Sequence, residues 1–300
     1  MILIIGVTSR LGKAVAERLL RDGVPFRGAC RNLAKAQWLS EQGIDVVPLD
    51  LASGPGLTAA LKGSTRVVSC VHGLLGRSRH SIELIDVRGH LALINACVDS
   101  TVQRFVYVSA LGASPHHPSE FWRAKAVTEE HLKASGMEYV ILRPGAFMDL
   151  YAHDMIGAAV LRGKTVFLLD SGRTPRNMIS VADVSDAVVK ALSGSNLAGQ
   201  TLEIGAPENL TAREVAAIYA GLSGKAPKVR TIPPLVVRLL ASAIAPFHAG
   251  VGRLLQLSLQ LAGREDLRLN SASGTEQLGI YPVRLETFAT NKSGAVETTP

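Results

Sequence analysis

The residues with the clearest chemical meaning stand at the start of the 300-residue chain, in IIGVTSRLG, residues 4–12. Gly6 falls where an apolar run has to turn tightly. Gly12 falls where any side chain would hold a following helix off that run. Between them the backbone amides of Thr8, Ser9, Arg10 and Leu11 open a helix, and the positive end of its dipole suits a diphosphate. The middle glycine usual in such loops is Ser9 here, and Thr8 can bond back to the loop. Further on, the apolar stretch Pro25 to Cys30 ends at Arg31 rather than at an acid. A guanidinium at that point can pair with a ribose phosphate and stack on adenine, where a carboxylate would repel the phosphate. Arg10 offers a second positive charge. Asp50 and Leu51, at the end of the third strand, are placed to meet the adenine, and Val71, His72 and Gly73 are placed to border its ribose. These residues predict a site for NADP(H) in preference to NAD(H).

The elements that must hold these groups alternate in kind. Short apolar strands (Met1–Ile5, Pro25–Cys30, Asp45–Pro48, Arg66–Val71, Arg104–Val108, Glu138–Leu142) alternate with helical segments (Lys13–Arg21, Leu33–Gln42, Gly56–Leu61, Ser81–Cys97, Phe121–Ser135). That rhythm calls for a mostly parallel sheet covered on both faces, and the right-handed crossover makes it doubly wound: an α/β Rossmann fold. Beyond Pro144 the rhythm changes. Strands are predicted at Val166–Leu169 and Thr201–Ile204, and helices at Val181–Leu192 and Thr211–Tyr219, the second with Thr211 and Glu214 as a capping box. The run from Pro234 to Ala262 is strongly apolar and is broken by Pro246 and Gly250 into two helices too short to span a bilayer. Packing against the second lobe or a partner subunit is the expectation for them, with contact at a membrane surface as the other reading. The organisation predicted is a nucleotide domain over 1–145 and a smaller, mostly helical C-terminal lobe for substrate or partner over 146–290, interleaved with the Rossmann core. A loose polar tail is predicted over 291–300.

Composition removes several classes of function. The net charge of +7 is scattered, with no basic run interleaved with aromatics, which argues against nucleic acid as a partner. Cys30, Cys70 and Cys97 lie far apart in apolar segments, so the reading is buried free thiols in a reducing, cytoplasmic setting. The N-terminal apolar run lacks a basic flank and a cleavage site and is read as a strand. The sequence contains no HExxH, CxxC or Walker lysine motif, and no metal ligands are expected. The chain is expected to act as a monomer or homodimer.

At this point the chain resembles the atypical short-chain dehydrogenase/reductases, in particular their NmrA-like branch. The resemblance covers GVTSRLG at Gly6–Gly12 (usually GATGxxG, so Ser9 departs), Arg31, Asp50, RFVYVSALGA at Arg104–Ala113, and KAVTEEHLKASGMEYVILRPGAFMD at Lys125–Asp149. It extends to NMISVADVSDAVVKAL at Asn177–Leu192, similar to the family's second-lobe helix that closes over the substrate side. The resemblance implies that Lys125 holds the nicotinamide ribose and that Ser109 hydrogen-bonds to a carbonyl. It also implies that Pro144 and Gly145 lie beside the nicotinamide, with Gly145 letting the backbone approach the ligand. Where the wider superfamily has its catalytic tyrosine, four residues before the lysine, this chain has Phe121, which has no proton to give.

Three readings follow. Lys125 is itself the acid/base, as in the family's reductases of plant aromatic ethers, its pKa drawn down by a cationic nicotinamide and an apolar wall, with Ser109 orienting the substrate. Alternatively His116, His117 or Tyr151 supplies the proton. In the last, no reaction occurs, and the protein reports nucleotide redox state or stabilises a partner. Phe147 and Met148 are candidates to line a substrate cleft, and Arg173 and Arg176 to meet an acidic group. The sequence reading is an NADPH-dependent reductase of a small apolar carbonyl, quinone or enone. Its alternative is a non-catalytic NAD(P)(H) sensor or assembly factor that docks through residues 234–262.

Overall fold

The computed structural model describes residues 1–297 except 55, 79 and 170, with side chains described through residue 293. In chain order the strands are β1 (Ile2–Ile5), β2 (Phe26–Cys30), β3 (Val46–Pro48), β4 (Arg66–Ser69), β5 (Arg104–Val108), β6 (Glu138–Pro144), β7 (Ala146–Phe147), β8 (Val166–Leu168), β9 (Arg176–Ile179), β10 (Gln200–Ile204), β11 (Asn209–Leu210) and β12 (Val229–Thr231). The helices are α1 (Arg10–Arg21), α2 (Gln37–Ser40), α3 (Leu57–Leu61), α4 (His90–Val98), α5 (Glu120–Ala134), α6 (Ala158–Leu161), α7 (Val181–Ser193), α8 (Ala212–Ser223), α9 (Pro234–Ile244), α10 (Ala249–Gln260), α11 (Ser273–Leu278) and α12 (Leu285–Glu297). Wide-turned π segments, Ile82–Gly89 and Met148–Gly157, lead into α4 and α6.

The predicted fold class is the observed one. A seven-stranded sheet runs in the order β10-β6-β5-β4-β1-β2-β3, with β1 parallel to both β2 and β4 and the ladder continuing parallel outward to β3 and β6. The chain starts near the middle of the sheet and winds outward both ways. The turn after β1 therefore lies at the point where the winding reverses, which is where open α/β sheets bind their ligands.

The chain divides into two compact units, residues Met1–Arg143 with Val184–Leu202, and residues Pro144–Asp183 with Glu203–Pro300. The smaller unit carries a three-stranded sheet, β11-β9-β7, a β12-β8 pair, and α8 to α12. Its core gathers Met148, Ile156, Met178, Val215, Tyr219 and Phe288. Thr211 and Glu214 form the expected capping box at the start of α8.

Three local expectations need correction. Most of α7 belongs to the nucleotide unit rather than to a second lobe. Its apolar stripe of Val184, Ala187, Val188, Ala191 and Leu192 is buried, and the Arg104 guanidinium donates to the carbonyls of Ala191 and Gly194 at 2.9 and 2.8 Å. The polar run from Asn291 continues α12 to Glu297 rather than leaving it, and residues 298–300 lie outside the described residues. Gly250 does not break the apolar stretch either. It sits in the first turn of α10, behind His248, which caps that helix by accepting from the Val251 amide.

Candidate functional site

A cleft of about 540 Å³ opens beside β1 and β2 in the nucleotide unit, within the range of small-molecule sites. Its lining includes Gly6, Thr8, Ser9, Arg31, Asp50, Leu51, Val71 and His72 from the predicted set. Gly6 adopts φ +80°, and a Cβ there would lie 2.2 Å from Val71 Cγ1. A Cβ on Gly12 would lie 2.2 Å from the Gly6 carbonyl oxygen, so α1 meets the end of β1 as bare backbone. Only glycine fits at both places, so bare backbone meets the N-terminus of α1, the geometry that a diphosphate cradle requires. Ser9, where a glycine is usual, is built into the loop. Its hydroxyl oxygen accepts from Gly12 N and donates to the Cys70 carbonyl, both at 3.0 Å, so it caps α1 and ties the loop to β4.

Arg31 and Lys35 lie at the cleft beside Asn32, and these two basic groups on its exposed rim could hold a ribose phosphate. Asp50 lines the same cleft and accepts from the Ala52 amide at 3.1 Å. Arg10 and Leu11 do not line it: Arg10 is exposed at the head of α1 and Leu11 is buried in the core. Gly73 stands behind the lining. A Cβ there would lie 2.1 Å from the Ser81 carbonyl oxygen, and its amide donates to Asp86 Oδ2 at 2.6 Å.

Lys125 is in the core of the nucleotide unit, 2% exposed, and is not among the cleft-lining residues. Its ammonium pairs with Asp86 at 3.2 Å, donates to the Val108 carbonyl at 3.2 Å, and stands over the rings of Tyr107 and Phe121 at 4.9 and 5.3 Å. Burial by itself would lower the Lys125 pKa. Tyr107 and Asp86 more than offset it, and the pKa stands above the ordinary lysine value. The downward shift expected from an apolar wall is thus reversed by Tyr107 and Asp86 together, neither of which the sequence marks as a partner of Lys125. Asp86 lies in the wide-turned segment before α4. The carbonyls of Ile85 and Asp86 are met there by His90 Nδ1 at 2.6 Å and the Thr128 hydroxyl at 2.5 Å, donors that stabilise the widened turns.

Ser109 is held by a second unforeseen acid. Its hydroxyl donates to Glu129 Oε1 at 2.5 Å, and the same buried carboxylate takes two hydrogen bonds from Arg143, at 2.9 and 2.6 Å. With its proton committed to Glu129, the buried Ser109 oxygen has only acceptor capacity left. The bond to a carbonyl implied by the resemblance would need that proton to turn from Glu129 to the ligand.

The remaining candidates are dispersed. His117 is buried and stacks on Trp122 at 5.0 Å, accepting from Ser119 N through Nδ1, while His116 is exposed. In the smaller unit Tyr151 lies under the Arg176 guanidinium at 4.6 Å and Met148 is fully buried in the core. Pro144 ends β6. The close approach that Gly145 permits is to Asn177, whose Oδ1 would lie 2.8 Å from a Cβ at residue 145 and 1.8 Å from one at Gly205. All three cysteines are free and buried, and burial pushes the Cys70 and Cys97 thiols up to about 12. Among the described residues no cluster of metal-ligating side chains occurs.

With this geometry in view, the relatives can be compared. The family model described as NAD(P)H-binding matches residues 6–194. The photosystem II assembly factor Ycf39 of Guillardia theta is 26% identical over 286 residues, 94% of this chain and 89% of that protein. The NAD(P)H azoreductase of Xenophilus azovorans is 28% identical over 225 residues, 75% of this chain and 74% of that protein. A chloroplast relative from Arabidopsis thaliana is longer, and this chain spans 59% of its length. Among solved structures, the NADPH-dependent quinone oxidoreductase QOR2 of Escherichia coli, complexed with NADPH, matches with a TM-score of 0.80 at 25% identity, over 97% of this chain and 99% of that one. The relatives thus include proteins named for reduction and proteins named for assembly. What they share with this chain is the nucleotide fold, and the family-model match over residues 6–194, more than half of the chain, places it in the NAD(P)H-binding family of Rossmann-fold proteins.

Proposed function

We propose that this protein binds NADP(H) and serves as a regulatory or assembly factor, its nucleotide unit acting as a sensor rather than as a lysine-dependent reductase. The observation that carries the reading is the Lys125–Asp86 pair. A proton shuttle needs a group that reaches the reacting atoms and gives up its proton near the working pH. Lys125 is buried, paired with an acid, and raised in pKa. Phe121, at the tyrosine position, adds no titratable group. Assembly factors among the relatives support the same reading.

Bound NADPH would supply a hydride. A second reading, reduction of a small apolar quinone, carbonyl or enone, is favoured by the likeness to QOR2 and the azoreductase. It would need a proton from a group other than Lys125. His72 lines the cleft and meets the Phe121 ring edge-on at 5.9 Å, which makes it the residue to test in that case.

Two measurements decide. In calorimetric titrations NADPH should bind about tenfold more tightly than NADH or better, with Arg31→Ala removing most of the difference, as a lost charge-assisted contact would. Equal affinities would remove the NADP(H) preference. The wild type with a panel of quinones and enones should oxidise NADPH no faster than a protein-free control while retaining nucleotide affinity. Turnover on that panel would overturn the sensor reading in favour of the reductase.

A further inference from the structure

The hairpin of α9 and α10 leaves an apolar face bare. On α9 only Val237 and Ala241 are buried. They are one helical turn apart, on the side where a Cβ at Gly252 of α10 would lie 3.2 Å from the Ala241 carbonyl oxygen, so the two helices meet closely there. The rest of the helix is uncovered: Leu235 is 67% and Leu239 63% exposed, Val236 and Leu240 are each 41% exposed, and Phe247, in the turn to α10, is 89% exposed. Scattered single apolar residues on a surface need no explanation, but a run of this kind on one short helix does.

The charges around it decide what covers it. From Val215 to Arg264 the chain contains no Asp or Glu, whereas Lys225, Lys228, Arg230, Arg238 and Arg253 all fall within that stretch. Lys225, Lys228, Arg230 and Arg238 are exposed. A helix with bare apolar side chains, in a stretch of chain whose charges are all basic, complements a surface that is anionic at its face and hydrocarbon just beneath. Lysine and arginine stems can lie along the boundary with their heads at the phosphates. Among the described residues no helix is long and apolar enough to cross a membrane, so α9 would lie in the interface plane.

We infer that the α9–α10 hairpin docks the protein on an anionic lipid bilayer, with Leu235, Leu239 and Phe247 inserted and Arg230 and Arg238 at the headgroups. This goes beyond the proposed function and does not depend on whether the nucleotide unit reduces a substrate. The test is co-sedimentation of the full chain with vesicles of phosphatidylcholine alone and of phosphatidylcholine mixed with phosphatidylglycerol. Binding to the mixed vesicles should be about tenfold stronger and should weaken with salt. The double variant Leu239→Gln/Phe247→Gln should lose about tenfold of it while its NADPH affinity and circular dichroism match the wild type. If that variant misfolds, Arg230→Gln/Arg238→Gln should give a similar loss with the apolar face intact. No binding to mixed vesicles, or binding untouched by the folded variant, overturns the inference. A concentration-dependent dimer that these substitutions abolish, without vesicle binding, also overturns it and makes the face a contact between copies of this chain.

Discussion

Lys125→Met should lower the free energy of unfolding by about 3–5 kcal/mol, the usual cost of removing one partner from a buried ion pair. Asp86 has no exposed surface, and one of its oxygens is already used by the Gly73 amide. Without the ammonium its charge would stand uncompensated in the core. Changing Asp86→Asn in the Lys125→Met background should restore most of the loss, because a neutral amide carries no charge to bury and can still accept from Gly73. Chemical denaturation of the two single variants and the double variant closes the cycle. The pH dependence has a definite sign. A folded-state pKa raised above the ordinary lysine value means that the pair's contribution is complete at neutral pH and is lost only as pH climbs beyond about 10.4. The gap between wild type and Lys125→Met should therefore stay constant through the neutral range and close in alkali. A loss below about 1 kcal/mol would show that Lys125 is not a core ion-pair partner and would reopen its role as a proton donor.

That result bears on how much of the site the sequence could carry. The glycine loop was legible because local backbone geometry dictates it: Gly6 must turn with positive φ, and Gly12 must touch the Gly6 carbonyl. Strand and helix alternation was legible for a similar reason, since each parallel strand needs a covering helix before the next. The acids that control Lys125 and Ser109 were not found, although each left a mark. Asp86 lies on the same helical face as Ile82, His90 and Leu93, all buried, so an acid sat in an apolar stripe. Glu129 lies one turn beyond Lys125 and one before Leu132 and Lys133, and with Thr128 it puts polar groups on the inward face of α5. A charge on a buried stripe requires a partner. Which partner it finds depends on pairings across the fold, Asp86 with Lys125 and Glu129 with Arg143, and no spacing along the chain encodes those. The placing of Gly145 and α7 rests on a different kind of evidence. Both were placed by likeness to a motif, while their neighbours, Asn177 for Gly145 and Arg104 for the end of α7, are set by this chain's own packing.

Acidification should weaken the fold through His90, and by about 3 kcal/mol between neutrality and pH 4. The ring is fully buried; Nδ1 donates to the Ile85 carbonyl and Nε2 accepts from the Ser69 hydroxyl at 2.9 Å, which specifies the neutral form. Burial first, and then the Lys125 ammonium, lower its pKa to about 4, with Asp86 and the Ile85 carbonyl pulling weakly the other way. Because the folded-state value lies below the ordinary value of about 6.5, the stability due to His90 is complete above that pH and drains away as the pH falls toward 4. Urea unfolding at both ends of this window, for wild type and His90→Gln, separates the histidine from the carboxylates, whose titration the two proteins share. The wild type should lose about 3 kcal/mol more than the variant across the window. Equal losses would mean that the ring is not buried neutral as described. The effect has a direction for function as well: the carbonyl that His90 holds belongs to the widened turn carrying Asp86, and Asp86 in turn holds the Gly73 amide behind the cleft. Protonation of His90 should therefore loosen the nucleotide side of the molecule before the remainder of the sheet, and NADPH affinity should fall within the same pH interval.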